Sequence, residues 1–546
     1  MVKNLLAILS SRQSSILSGA SILMMAVFAS KFLGLIRDRL LVHNFSSAEA
    51  SLFFAAFRLP DLLFQLLIFG ALSVAFIPVF TEHLSKNGEK DAMCFANNIL
   101  NLSLTLFGVV ALFAFIFIGP INSLIVPGFS GSQKALTDDL TRIILLGQII
   151  LVVGAFFVGI AQSHQRFIVP SIAPLFYNLG MIIGILLSPV LGITGPAFGV
   201  VIGALLHVLI QIPLVSSLGY RYKFSFNFFN SGVREVVRLM SFRNIGLAVE
   251  QLNEVVGTAL ASLVINNSSA ITILTFAQHL QTVPIGLFGA TIAQAALPVL
   301  SKEQAETDKE AFKRTLLTTF HQILFLTLPA TAMLVVLRIP LVRLVFGASQ
   351  FTWDDTVLTG RTVALLALGL SAQSVILLLV RGFYALKDTK SPVFISVGTV
   401  ILNIALSSTF VLFFHLDVWS LGLSYAITSI VSMILLLHLL HKKVDHFSMP
   451  LLFYPAIKML LAAVIAAIAL YLPVKALDQQ VVDTTHTLNL IFLTGVASIF
   501  GLGIYIWVVW WLKVRELYTF WDLINKFTKL RVRVKTEEIS KETTSV

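Results

Sequence analysis

Cysteine occurs once in this chain, at Cys94, so no intramolecular disulfide can form and no cysteine cluster can bind a metal or run redox chemistry. Charge is scarce as well. Charged residues are 12% of the 546, about half the share found in soluble domains, while 57% are hydrophobic. With a mean hydropathy of +0.91, a chain of this length reads as an all-α polytopic membrane protein rather than one large soluble core. Long polar stretches are also missing on one side: the turns S-P-V-L-G-I-T-G-P around Pro189 and H-L-D-V-W around Asp417 are short. With no sizeable extramembrane domain, the function must reside among the membrane helices. The formal charge of +11 therefore needs a test of sidedness before nucleic acid is invoked, and no nucleic-acid partner is expected.

Windows of about 20 apolar residues give about fourteen membrane segments. Lys86 and Lys90, Arg166, Arg221, Lys223, Arg234 and Arg238, Lys302 to Arg314, Lys387 and Lys390, and Lys442 and Lys443 fall in alternate loops. The intervening loops hold few cations, so both termini are expected in the cytoplasm, which requires an even number of spans. Lys3 and Arg12 precede an apolar run too long for a signal-peptide core and without a cleavage site, so a retained signal anchor is expected.

A faint duplication organises these segments. F-G-A-L-S-V-A-F-I-P-V-F, from Phe69 to Phe80, resembles F-G-A-T-I-A-Q-A-A-L-P-V-L, from Phe288 to Leu300. G-I-A-Q-S-H-Q-R-F-I-V-P, ending at Pro170, parallels G-F-Y-A-L-K-D-T-K-S-P, ending at Pro392, at nearly the same offset. Six helices per copy return the chain to the side it entered from, so the copies are expected as two lobes in a parallel pseudo-two-fold repeat, with two further C-terminal helices. The resulting domain reading is a cytoplasmic N-terminus at 1–15, an N-lobe at 16–218, a basic amphipathic linker on the cytoplasmic surface at 219–242, and a C-lobe at 243–445. The last two spans then lie within 446–512 and a basic tail at 513–546, either a lipid anchor or a solvated terminus.

Charges inside the first segment stand out, because each charge at mid-bilayer costs about 2.5–3.5 kcal/mol on insertion scales. Ser30, Lys31, Gly34, Arg37 and Asp38 fall within an arc of roughly 120° on a helix. Such a face either pairs with carboxylates or lines a water-filled cavity that receives an anion, and several charges on one face favour the cavity.

The motifs G-L-I-R-D, R-L-P-D-L-L, F-G-A-L-S-V-A-F-I-P-V-F, A-L-P-V-L-S-K and F-Y-A-L-K-D-T-K-S-P-V occur in that order, and with them the chain resembles the MurJ/MviN family of lipid II flippases, in the MOP transporter superfamily. The resemblance implies a flippase, not an enzyme, for the undecaprenyl-diphosphate-linked peptidoglycan precursor. It places the protein in the bacterial cell (inner) membrane, in contact with membrane lipids. Separately, a monomer is expected. It also implies cationic first-helix residues in a central cavity, at positions matching Lys31 and Arg37, with Ser30 and Asp38 beside them. The first of these is usually arginine, and lysine lacks the bidentate fork suited to a diphosphate. The family pattern is also missed at Ser51, at Phe64 and Gln65, at Phe69, and at His279, where the family has arginine. These departures predict a less charged cavity and leave open another polyprenyl-linked glycan as cargo.

Three further sites carry more than one reading each. Arg58, ahead of Pro60, contacts a headgroup or satisfies carbonyls freed by the proline. Glu250 and Glu254 share a helix face and could hold Na⁺, exchange H⁺, or pair with Arg37 or Lys31; the pairing is preferred because it accounts for both sets of charges. His279 is either titratable or a structural hydrogen bonder. Asn178 and Asn403 read as interhelical hydrogen bonders. No cofactor is expected; coupling to the membrane potential, Na⁺ or H⁺ stays open. Rival readings are a MOP-type small-molecule exporter, which calls for an acidic cavity, and a membrane enzyme, which calls for clustered aspartates or a loop base.

Overall fold

The computed structural model describes residues 16–69, 76–227, 231–265, 267–480 and 486–521. Lys3 and Arg12, the G-A-L-S-V part of the first repeat motif, and the tail cations from Lys526 onward lie outside the described residues. The described elements are all helical. In chain order they are α1 Ile16–Asn44, α2 Ser47–Phe64, α3 Ile77–Lys86, α4 Glu89–Ile116, α5 Ile118–Ile125, α6 Gly131–Ser163 and α7 Ile168–Leu186. There follow α8 Ser188–Leu191, α9 Thr194–Leu209, α10 Ile212–Ser217, α11 Ser231–Ser262, α12 Ala270–Pro284, α13 Thr291–Ala305 and α14 Lys309–Val336. The chain continues through α15 Arg338–Phe346, α16 Trp353–Leu368, α17 Leu370–Ala385, α18 Lys390–Ser408, α19 Trp419–Lys443, α20 Met449–Gln480 and α21 Thr487–Trp511.

Among the described residues, 11 helical stretches are long and apolar enough to cross a membrane, or 12 if α16 and α17 form one broken span. Of the fourteen expected segments, α1 and α11 are outside that set. In α11 the apolar run is diluted by Glu250, Gln251, Asn253 and Glu254. The third expected segment is broken at Phe117, between α4 and α5.

Local chemistry sets the helix ends. Ser46 and Glu49 form a reciprocal capping box at the start of α2, and Ser130 and Gln133 do the same for α6. The second and eighth expected segments share an internal feature. After α2 the backbone widens into a π-helical turn at Gln65–Phe69, and after α12 into another at Ile285–Ala290, 220 residues later. A proline precedes each turn, Pro60 and Pro284, where the missing N–H and the ring disturb the α-helical ladder.

By packing, the described chain divides into two units. The first is the chain up to Val283 together with Val345–Leu365 and Val393–Thr428. Its tightest helix pair is α7 with α9, where glycines face each other. A Cβ on Gly180 would lie 2.2 Å from Gly203 Cα, and one on Gly184 would lie 2.3 Å from Gly199 Cα. Only residues without a side chain allow this approach. The linker at 219–242 is in two parts. Residues 221–227 are not helical and lie along α4, where three asparagines act as strand partners: Asn97 and Asn101 donate to the Arg221, Lys223 and Ser225 carbonyls, and Asn98 exchanges two hydrogen bonds with the Asn227 backbone at 2.6 and 2.8 Å. From Ser231 one helix, α11, runs on without a break into the seventh expected span.

The second unit comprises Pro284–Leu344, Leu366–Pro392 and the chain from Ser429. Here α14 packs against α20, with His321 Nε2 3.0 Å from the Leu452 carbonyl, and Tyr505 of α21 donates to the Phe325 carbonyl at 2.9 Å. The outer faces of α20 and α21 leave Ile457, Leu461, Ile468, Phe492 and Ile499 exposed, as lipid-facing helices do.

Candidate functional site

In the first unit, two helices are held side by side by small hydroxyls. Ser51 Oγ of α2 lies 3.0 Å from Thr272 Oγ1 of α12 and accepts the Thr272 backbone N–H at 3.1 Å, while Thr272 Oγ1 donates to the Ser47 carbonyl at 2.8 Å. Ser51, one of the departures from the family pattern, is thus fully buried and joins helices. Two helical turns beyond this contact stand Arg58 on α2 and His279 on α12, each seven residues on and therefore on the same face as its anchor. Phe54 lies between them, edge-on to both Phe276 and His279.

The first-helix stripe meets this pair. Asp38 is 1% exposed; its Oδ1 accepts Arg37 Nε at 3.0 Å and Nη2 at 2.7 Å, and its Oδ2 lies 2.7 Å from His279 Nδ1. Arg37 Nη1 donates to Asn178 Oδ1 on α7 at 3.1 Å, and the same amide reaches back to Ser30 Oγ at 3.3 Å. Asn178 is the expected interhelical bonder, spanning the stripe from Ser30 to Arg37. Asn403 is another, donating to Asn253 Oδ1 at 2.8 Å.

Arg37, Arg58, Asp61 and His279 line one cavity of about 180 Å³, together with Phe53, Phe54, Phe57, Tyr177, Met181 and Thr275. At about 30 Å³ per water in the liquid, that volume suits several waters or a phosphate-sized group. Two polar atoms of lining residues, Arg58 Nε and Thr275 Oγ1, are buried without a hydrogen-bond partner among the described residues.

The structure brings Arg37, Asp38, Arg58 and His279 together and gives them different positions. Asp38 sits behind Arg37 as its counter-ion and is not among the lining residues. Lys31 is exposed and does not line the cavity either. The preferred partners of Glu254 are corrected: it pairs with Arg58 Nη1 at 3.2 Å, not with Arg37 or Lys31, because Asp38 already occupies Arg37. Glu250, one turn earlier on α11, is exposed. Asp61, Tyr177 and Thr275 were not singled out by the sequence. For Asp61 a signal existed, an acid three residues after Arg58 inside a membrane segment; an apolar-flanked threonine or tyrosine carries none.

A protein-family model described as lipid II flippase MurJ matches residues 44–492. A relative from Bdellovibrio bacteriovorus, named a probable lipid II flippase MurJ, is 28% identical over 504 residues, covering 90% of this chain and 95% of its own. A solved structure described as lipid II flippase MurJ in an inward closed conformation aligns with a TM-score of 0.73 at 24% identity, over 88% of this chain and 98% of that one. An inward-facing MATE-family multidrug transporter of the MOP superfamily aligns with a TM-score of 0.66 at 14% identity, over 76% and 94% of the two chains. At these identities the structural likenesses speak for the fold.

Proposed function

This chain belongs to the MurJ lipid II flippase family, and from that premise we propose that it moves an undecaprenyl-diphosphate-linked headgroup from the cytoplasmic to the outer leaflet through the cavity at Arg37 and Arg58. It is a multi-pass membrane transporter and not an enzyme. Its place is the bacterial cell (inner) membrane with both termini cytoplasmic, the alternation of loop cations supporting that orientation.

One observation carries the assignment of the site: two arginines from different helices reach the same cavity. Guanidinium groups bind phosphate oxygens in a fork, and a dry wall of Phe53, Phe54 and Phe57 strengthens those contacts. The Asp38 carboxylate holds Arg37 in orientation from behind. The two lobes at 16–218 and 243–445 rock about the site, a plan supported by π-helical turns that recur 220 residues apart. The polyprenyl tail stays in lipid while the headgroup passes.

Depletion of a host's lipid II flippase while this protein is expressed tests the assignment. The wild type is expected to rescue growth, and Arg37→Ala at matched membrane abundance is not. Rescue by both would remove Arg37 from the site; failure of a well-inserted wild type would redirect the cargo to another polyprenyl-linked glycan.

A further inference from the structure

Carboxylates are not outnumbered by cations on the helices around the cavity. Lys31, Arg37 and Arg58 are three cations there, and Asp38, Asp61, Glu250 and Glu254 are four carboxylates, with Arg37 paired to Asp38 and Arg58 to Glu254. Tyr177 of α7 faces the same space as a phenol. An incoming diphosphate therefore meets paired arginines, not a net cationic cluster. His279 is the one imidazole among the lining side chains.

Geometry fixes what protonation of that ring does. With a neutral ring, the short contact to the Asp38 carboxylate requires the proton on Nδ1, because a carboxylate only accepts. Nε2 is then a bare lone pair on a side chain that lines the cavity, and it repels phosphate oxygens. Protonation at Nε2 converts it into a donor, adds one positive charge to the cavity wall, and leaves the Nδ1 contact to Asp38 in place.

We propose that His279 is a proton-linked anion ligand: binding of the diphosphate draws one proton from cavity water onto His279 Nε2, and the headgroup is held by Arg37, Arg58 and the imidazolium together. One N–H bond forms on Nε2, the bond holding that proton to hydronium or buffer acid in the solvent breaks, and the conjugate base stays in bulk solvent. Where an arginine at this position would supply a permanent charge, histidine makes the affinity of this chain depend on pH. The proposal rests on the reading of the cavity as the diphosphate site.

Isothermal titration of the full-length protein in nanodiscs with lipid II, a diphosphate esterified at both ends and so of constant charge between pH 6 and pH 8, tests it at those two pH values and in two buffers of different ionisation enthalpy. The expected result is affinity weaker by about tenfold or more at pH 8, with proton uptake on binding that approaches one near neutral pH. His279→Arg is expected to bind with no pH slope and no proton uptake, and His279→Asn to bind at pH 6 as weakly as the wild type does at pH 8. Thermal midpoints of both variants, measured alongside, exclude misfolding as the cause. Equal wild-type affinity at both pH values, or a pH slope retained in His279→Arg, would overturn the proposal while leaving the cavity reading intact. Absence of wild-type binding at every pH would remove the cavity reading itself.

Discussion

Asp388 sits in the K-D-T-K-S-P motif, one of the stretches by which the chain is recognised, and its work is structural. Its Oδ1 accepts the Lys390 and Ser391 backbone N–H groups at the start of α18, and its Oδ2 accepts the Ser391 hydroxyl at 2.6 Å and the Lys443 ammonium from the end of α19. Burial alone would raise its pKa, but the Lys443 ammonium and the Ser391 donors outweigh it and hold the carboxyl at about 2, below the ordinary 3.8. A depressed folded-state value means stability that is complete above about pH 4 and is lost as pH falls toward 2. The gap in thermal midpoint between wild type and Asp388→Asn is thus expected to be constant above pH 5 and to shrink between pH 4 and 2; a gap that persists at low pH would show that the carboxylate charge plays no part. The same scale explains why the charged stripe was legible and its pairing was not. That Arg37 and Asp38 are adjacent in a membrane helix is visible in the sequence, but the partner of Asp38 is 241 residues away and the partner of Glu254 is 196 away. Period and spacing report which residues share a face and are silent about which helix that face meets.

Helices in this protein are positioned by very small side chains. The α7–α9 contact exists because Gly180, Gly184, Gly199 and Gly203 let two backbones approach, and α7 in turn carries Asn178, Tyr177 and Met181 to the cavity. Gly184→Leu would drive a side chain into the Gly199 backbone and the Gly195 carbonyl, at an expected cost of about 3 kcal/mol or more. Gly108→Ala, on α4 with open space around it, is the matched control and is expected to be neutral or stabilising. Thermal unfolding of the two purified variants in detergent separates them; equal midpoints would mean that α7 and α9 are free to part. The α4 asparagines teach a related lesson. N-N-I-L-N inside an apolar run looks like dilute polarity, yet Asn97, Asn98 and Asn101 bind the backbone of residues 221–227. Their partners are peptide groups, and the sequence of a partner stretch does not show that its backbone is unpaired.

For the whole molecule, the proposed transport moves a net negative headgroup outward, and an inside-negative potential favours that step by about 2.3 kcal/mol per charge for each 100 mV. Collapsing the potential across vesicles with valinomycin and matched K⁺ is expected to slow flipping of a fluorescent lipid II analogue several-fold; an unchanged rate would mean that the charge crosses already neutralised. The sequence by itself determined the class of this protein. Scarcity of charge, about fourteen apolar segments, alternating loop cations and the ordered motifs led to a many-helix membrane transporter of the MurJ type, because burial in lipid imposes a composition and a period that survive in one dimension. It also marked Arg37, Arg58 and His279, since charge or titratable polarity within a membrane segment is costly wherever it ends up. Only the tertiary structure decided how those groups combine. It set Asp38 between Arg37 and His279, gave Glu254 to Arg58, and added Asp61, Tyr177 and Thr275 to the wall. These are contacts between distant helices, fixed by hydroxyl pairs, glycine faces and an asparagine amide. Whether a cavity is cationic or balanced depends on which carboxylates those contacts bring near.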